Sequence, residues 1–351
     1  MIKLTQVRAP PLNPPREQVP LEPLLFFSCV CRKKTKGSPE GLAPLAGLRN
    51  YFFAKLRKNG TVEYPSVLVR YLLAMSIEED IIKRIIKVLV YIDQRLDEEI
   101  SLEELARKAC YSPYHFHRVF FAIVGETVHK YVRRLKLERA AGKLRYTSLP
   151  VTEIALDANY ETPSAFAKAF KQSMGTSPER YRFDNALKKL KEYPMIHPDA
   201  IQKIDDLELL FIRSVGDYSK SPSEAWIKLH KFIEENSLDS KKLRYFGISH
   251  DDPNITPEGK LRYDAAILAP GVKERGEVGR EILQGGKYAV FTHKGPYSTL
   301  EESFNRIFLK WLPASKETFD ETRRCFTEYF HLEFVKTNPE KLVTKIFIPL
   351  L

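Results

Sequence analysis

Tyr114, His117 and Arg118 are spaced i, i+3 and i+4, so on a helix they share one face. That face offers a phenol, an imidazole and a guanidinium. A guanidinium can bond the guanine edge twice, which discriminates against other bases by about 1–3 kcal/mol. Further along, Ser164, Ala165, Ala167, Lys168 and Lys171 fall outside a second apolar stripe. Alanines permit close approach and contact with a thymine methyl, and Lys168 brings a positive charge. The chemistry on offer is recognition of base edges.

Such side chains need a frame, and the sequence repeats one. Glu104–Tyr111 is echoed by Glu153–Tyr160. After one inserted residue, Glu161, Ser112-Pro113 is echoed by Thr162-Pro163. Phe116, Arg118, Phe120, Gly125 and Tyr131 correspond to Phe166, Lys168, Phe170, Gly175 and Tyr181. Ser101 reads as an N-cap with Glu104 as its capping-box partner. Ser112 and Thr162, each before a proline, are helix starts, and Gly125 and Gly175 close the helices that follow. Phe116, Val119, Phe120 and Ile123 form the expected buried stripe of the first long helix, and Phe166, Ala169 and Phe170 that of the second. A short helix, a turn and a capped second helix, twice over, describe two helix-turn-helix units. Between them Thr127–Tyr146 reads as a helix bearing Lys130, Arg133, Arg134, Lys136, Arg139, Lys143 and Arg145. About 20 residues span about 30 Å, close to the roughly 34 Å between successive major-groove faces. Those basic residues that face the DNA backbone would supply salt-dependent affinity; for most of them a solvated face is the simpler expectation.

Residues from about Ile77 to Phe183 resemble the tandem helix-turn-helix domain of AraC/XylS-type transcription regulators. The resemblance rests on Ala158-Asn159-Tyr160, Phe166, Ala169-Phe170-Lys171, Gly175, Ser177-Pro178 and Tyr181-Arg182. It implies double-stranded DNA as a partner and RNA polymerase as a second. It places Tyr114, His117, Arg118, Pro163, Ser164, Ala165, Ala167 and Lys168 at base-facing positions. Family members often carry polar residues where this chain has Pro163, Ala165 and Ala167, which leaves more room for readout of shape and backbone.

After about Lys191 the pattern changes. Asp206–Val215, Arg244–Ser249, Tyr263–Leu268, Lys287–Thr292, Tyr329–Val335 and Val343–Pro349 are strand-like runs. Helical patterns interrupt them near Ser223–Glu235 and Thr299–Leu312. The order is βαββ twice, a second internal duplication. Residues from about Ala200 to Leu351 resemble the GyrI-like effector-binding domain, on Phe246-Gly247-Ile248, Asp251-Asp252-Pro253, Arg262-Tyr263-Asp264-Ala265, Gly285–Val290, Gly295-Pro296-Tyr297, Trp311-Leu312-Pro313, Glu333, Asn338-Pro339 and Ile346–Leu350. The resemblance implies two βαββ halves around an aromatic cleft whose carboxylate pairs with a cationic, often lipophilic, small-molecule effector; ring faces attract such cations. It makes Glu333 the ligand carboxylate, the alternative being an exposed strand position. Tyr297, Trp311, Tyr263 and Phe246 are candidate wall residues or ordinary core, core being the better reading of Phe246.

The chain has 351 residues and a formal net charge of +11, room for two or three domains and a surface suited to a polyanion. Cys29, Cys31, Cys110 and Cys325 are too few and scattered for a disulfide framework and fit a reducing cytoplasm. Cys29-x-Cys31 lacks further ligands at zinc spacing. His115 and His117 stand about 200° apart on a helix. No metal or other cofactor is expected. No apolar run reaches the roughly 20 residues of a membrane span. Residues 1–74, with Pro10, Pro11, Pro14, Pro15, Pro20 and Pro23, form an atypical segment that reads as disorder, as short helices, or as sequence upstream of a natural start at Met75. The expected architecture is multidomain, α plus α+β: a tandem helix-turn-helix domain over 75–190 and a duplicated βαββ effector-binding domain over 200–351. The function this implies is a cytoplasmic, ligand-controlled transcription regulator, an activator by the family's commoner outcome, and not an enzyme. The alternatives are a GyrI-like hydrolase, for which no nucleophile elbow or phosphate loop is present, and a module that sequesters a toxic compound.

Overall fold

The apolar residues of the first long helix recur on two faces rather than one. In the computed structural model, which describes residues 66–188, 193–330 and 338–351, this helix, α1, spans Ser66–Gln94. Residues 1–65 of the atypical N-terminal segment lie outside the described residues. Ile85, Val88 and Ile92 enter a helical core, whereas Val90 and Ile86 belong to the core of the sheet. One helix therefore serves both halves of the molecule.

Six helices follow: α2 (Leu102–Lys108), α3 (Pro113–Val124), α4 (Val128–Tyr146), α5 (Val151–Asp157), α6 (Pro163–Met174) and α7 (Pro178–Lys188). The repeat holds to the level of single contacts. Phe116 and Phe120 are buried with rings 5.6 Å apart, and Tyr131 meets Phe120 edge-on at 5.7 Å. Phe166, Phe170 and Tyr181 reproduce this at 5.5 and 5.4 Å. Ile123 departs from expectation: it is 43% exposed. Val124, four residues after Phe120, takes the inward place, because the i, i+4 row through Phe116 and Phe120 continues there and leaves Ile123 on the flank.

The C-terminal part is one antiparallel sheet of eight strands with helices on one face. The strands are β1 (Ala200–Ile204), β2 (Leu207–Val215), β3 (Arg244–Ser249), β4 (Arg262–Leu268), β5 (Gly279–Leu283), β6 (Gly286–Lys294), β7 (Phe326–Tyr329) and β8 (Val343–Pro349). Helix α8 (Ser221–Glu235) lies between β2 and β3, and α9 (Leu300–Arg306), extended by a wider turn over Ile307–Trp311, between β6 and β7. The expected strand Tyr329–Val335 falls largely outside the described residues. The sheet order is β1-β6-β8-β7-β3-β4-β2-β5. Replacing β1–β4 by β5–β8, and the reverse, turns this order into itself read backwards. The duplicated unit is therefore ββαββ, one strand longer than the βαββ read from sequence. Its first strand is exchanged, since β1 pairs with β6 and β5 with β2. The two crossovers touch where the Gly285 N–H donates to Asp206 at 2.7 Å.

Residue identities follow the pseudo-two-fold. Gly216 and Tyr218 after β2 match Gly295 and Tyr297 after β6; Arg244 and Phe246 on β3 match Arg324 and Phe326; Lys260-Leu261 before β4 match Lys341-Leu342 before β8. The face under α8 carries Leu210, Ile212, Tyr245, Tyr263, Ala265 and Ile267, and that under α9 carries Ala289, Phe291, Ile346 and Ile348. The opposite face buries Phe211, Phe246, Tyr288, Phe326 and Phe347. Among the described residues no helix is long and apolar enough to cross a membrane, and no group of three or more metal-ligating side chains converges.

Candidate nucleic-acid interface and effector cleft

Each recognition helix is held at both ends by local chemistry. Ser112 Oγ accepts from the His115 N–H at 3.4 Å, and Thr162 Oγ1 from the Ala165 N–H at 3.2 Å, each with a proline in the first turn. Ser101 caps α2 in the same way, accepting from the Glu104 N–H at 3.1 Å. Gly125 and Gly175 both end their helices at φ +78°, a conformation that favours glycine. The turns between the paired helices pass through Cys110 (φ 56°) and Asn159 (φ 59°), equivalent positions in the two copies.

These frames present the expected residues outward. Tyr114 is 75% exposed, and His117 and Arg118 are exposed beside it. The Arg118 guanidinium stands 5.8 Å from the Tyr114 ring centroid, on the same open face. Pro163, Ser164, Ala165 and Lys168 are exposed on α6, with Ala167 half-buried. Phe121, 52% exposed, adds an apolar outward residue of α3 that the stripe analysis missed.

The connecting helix α4 differs from expectation. Its 19 residues have about the expected length, but most of its basic side chains are occupied within the molecule. Arg134 is paired with Glu126 at 2.7 Å and Glu138 at 3.0 Å. Lys143 holds Asp157 at 2.8 Å and Glu321 at 3.1 Å, and Arg139 holds Asp97. Lys136 donates to Asn159 at 2.6 Å, and Arg145 is buried near Asp252. Helix α4 is a strut locked to both copies and to the sheet. Lys130 and Arg133 remain exposed. The Coulombic attraction to local carboxylates at contact distance decides against a shared basic face.

On the sheet, the candidate wall residues separate. Tyr263 and Tyr297 are brought together through Tyr329: the Tyr263 and Tyr329 hydroxyls are 3.2 Å apart, and the Tyr297 and Tyr329 rings meet edge-on at 5.2 Å. Trp226 of α8 donates its indole N–H to Tyr263 at 3.1 Å and packs on Tyr245. The rings lie close over the sheet because residue 247 is glycine; a Cβ there would stand 2.8 Å from Tyr329. Burial raises the Tyr297 hydroxyl to about 12 and raises those of Tyr263 and Tyr329 as well. The wall is therefore uncharged at neutral pH. Trp311 is not part of it. It is 5% exposed and packs on Phe291 at 4.9 Å under α9, in the other half's core, because the end of the α9 segment turns that side chain onto the sheet. Phe246 points to the face opposite α8 and is core. Glu333 lies outside the described residues. Sequence reasoning missed Tyr218, Trp226, Tyr245 and Tyr329; the repeated Gly-x-Tyr at 216–218 and 295–297 was the available signal for the first.

It also missed the seam that joins the helical part to the sheet. Asp93 of α1 accepts from Arg213 at 2.8 Å and from Arg262 at 2.6 Å. Arg213 makes two bonds to Asp264, at 2.7 and 2.8 Å, and Arg262 two to Asp251, at 2.9 and 2.6 Å. Arg262 also donates to the Tyr131 hydroxyl at 3.2 Å. Burial alone would raise the Asp93 carboxyl, but Arg262 and Arg213 hold it well below the usual carboxylate range. Burial lowers the His250 imidazole beside Asp264, against the pull of that carboxylate. Around the seam, Tyr146 donates to Asp252 at 2.6 Å and Lys260 to Glu126 at 2.8 Å.

Comparison with known proteins agrees with both halves. A model of the GyrI-like small molecule binding domain matches residues 200–351, and one of a helix-turn-helix domain matches residues 105–183. The chain is similar to the transcriptional regulator Rob of Salmonella typhimurium, 24% identical over 284 residues, covering 75% of this chain and 96% of that one. It is 34% identical over 243 residues to the right origin-binding protein of Escherichia coli, covering 64% of this chain and 83% of the relative. Among solved structures, the DNA-binding domain of AdpA in complex with a target DNA is similar at 23% identity and a TM-score of 0.30, covering 31% of this chain and 99% of that chain.

Proposed function

Because the chain belongs to the AraC-type transcription regulators that carry a GyrI-like small-molecule-binding domain, we propose that it is a cytoplasmic activator reading duplex DNA through α3 and α6 and answering to a small amphipathic cation. Tyr114, His117 and Arg118 read bases in one major groove. Pro163, Ser164, Ala165, Ala167 and Lys168 dock in the next, with more weight on shape and phosphate than on hydrogen bonds. RNA polymerase is the second macromolecular partner. The effector lies on the neutral ring faces of Tyr263, Tyr297 and Tyr329, a favourable environment for a desolvated cation, and Glu333 supplies the counter-charge.

The observation that carries the regulatory part is the alternation of side chains along β4. Tyr263 faces the aromatic wall, while its neighbours Arg262 and Asp264 face the helices and take part in the seam with Asp93. A ligand that shifts the wall acts on the same strand that grips α1. Coupling then requires different ligand affinities in the free and DNA-bound states, and it is reciprocal.

The test is selection of bound duplexes from a random pool, repeated with a panel of cationic aromatics. A selected consensus and a cation that changes duplex affinity are expected. A module that only sequesters its ligand would bind the cation equally with and without duplex, and that result would reject the regulatory reading. A hydrolase would convert the compound, and turnover abolished in Glu333→Gln with duplex binding kept would favour that class instead.

A further inference from the structure

The two halves of the sheet use the face opposite α8 and α9 unequally. In the first half α1 is seated on it: a Cβ at Gly279 would stand 2.8 Å from Ile86, and Val90 joins the cluster of Phe211, Phe246, Ala266 and Leu283. One turn on, Asp93 brings a carboxylate to Arg213 and Arg262, with Arg324 at 3.9 Å. The pseudo-two-fold carries Phe246 onto Phe326, Ala266 onto Phe347, Leu283 onto Ile204 and Arg324 onto Arg244. At that second position no helix is seated among the described residues. A cavity of about 330 Å³ opens instead, with Ile204, Leu207, Phe326 and Phe347 as its apolar lining.

Its charges differ from those of the first half in both directions: Arg213 and Arg262 have Thr292 and Val343 as counterparts and Ile248 has Glu328, while Asp264 and Glu281 have Lys345 and Gln202. Arg324 has a carboxylate partner in Glu281 at 2.5 Å besides its approach to Asp93. Its counterpart Arg244 holds Glu328 at 2.7 Å and faces Gln202 where Glu281 would stand. Lys345 occupies the place of Asp264. It lies across the ladder from Glu328 and has no ion pair among the described residues. Asp205 is at the exposed mouth, where water screens it. Beside an apolar floor the lining offers the Arg244–Glu328 pair and Lys345, whose ammonium has no ion pair among the described residues and stands 5.5 Å from the Phe330 ring centroid.

We propose that this cavity binds a small amphipathic carboxylate, its body on Phe326, Phe347, Ile204 and Leu207 and its acid group on Lys345 and Arg244. In the first half the chain itself supplies an apolar residue and a carboxylate, Val90 and Asp93 of α1, there held chiefly by Arg213 and Arg262, with Arg324, the counterpart of Arg244, at 3.9 Å. The volume falls at the lower end of the range for small-molecule sites, and a carboxylate bridging two cations makes charge-assisted hydrogen bonds. The site is on the opposite face of the sheet from the tyrosine wall, so it stands independently of the cation-effector reading.

The experiment is calorimetric titration of the full chain with 4-phenylbutyrate, with its amide, and with 4-phenylbutylamine. Saturable binding of the acid is expected, with the amide and the amine about tenfold or more weaker. Lys345→Met should weaken the acid by a similar factor, and Ile204→Trp, which fills the cavity, should abolish binding. Retained circular dichroism and duplex binding certify the fold of both variants; Lys345, half-buried at the cavity edge, is the safer of the two. Equal affinity for acid and amide, undiminished binding in either folded variant, or no saturable binding of the acid would each overturn the proposal.

Discussion

The two helix-turn-helix copies share a frame and differ in what they show. Helices α2 and α5 have seven residues each, α3 and α6 twelve each. The caps of α3 and α6, the αL turns and the buried phenylalanine pairs match position by position, whereas Ser101 caps α2 and its counterpart Pro150 gives α5 no side-chain cap. On the outer face, after a proline common to both, the first copy carries Tyr114, His115, His117 and Arg118 where the second carries Ser164, Ala165, Ala167 and Lys168. The frame is fixed by packing and by backbone geometry, which tolerate few residue types. The outer face is constrained only by its ligand, so it is where the copies diverged.

The comparison breaks most visibly at the shared core. Phe120→Ala and Phe170→Ala should each destabilise by about 3–5 kcal/mol. Denaturant melts that agree within about 1 kcal/mol would support equivalent frames, and a much smaller loss in one copy would refute them. Next is the seam, which ties α1 and hence the first copy to the sheet. Removing one member of a buried charge network costs about 3–5 kcal/mol, and Asp93→Ala is expected near the lower end of that range. The Asp93 carboxyl is depressed in the folded state. Its contribution is therefore fully present above the unfolded value of about 4 and lost as pH falls below it. Acid titration of Asp93→Asn should show a shallower loss of stability below about pH 4 than the parent; an unchanged profile would remove Asp93 from the acid transition.

Smaller effects separate the outer faces. Arg118→Ala should cost about 1–3 kcal/mol and relax preference at one base position, whereas Lys168→Ala should weaken all duplexes alike and lower the salt slope by about 1. Equal weakening of every sequence by Arg118→Ala would remove its base-reading role. Smallest is the αL turn. Cys110→Gly should stabilise by about 0.5–1 kcal/mol, since a non-glycine residue is strained there. Asn159→Gly should gain nothing, because asparagine tolerates αL and its side chain holds Lys136.

What was legible in the sequence follows the same division. Caps, proline starts and closing glycines act over three or four residues, so both helix-turn-helix units could be read directly. The sheet was read as βαββ because β1 is short, almost wholly exposed and without alternation, and its partner β6 lies far along the chain. Tyr263 and Trp311 look alike as aromatics in amphipathic elements; only the strand order assigns one to the cleft and the other to the core under α9. Asp93 was invisible for the same reason. A single acid on a helix reads as solvated, and its partners Arg213 and Arg262 lie 120 and 169 positions away.

The exchange of β1 and β5 between the halves of the sheet has a consequence for how this domain can be divided. Neither ββαββ unit contains the partner of its own first strand, so a fragment ending before β5 presents an open edge and can close only by lending β1 to another copy of itself. The domain is thus a dimer written on a single chain. Cutting it at its internal boundary is expected to yield self-associating halves rather than two small folded units, and the long reach from β1 to β6 is a non-local pairing of the kind that slows folding.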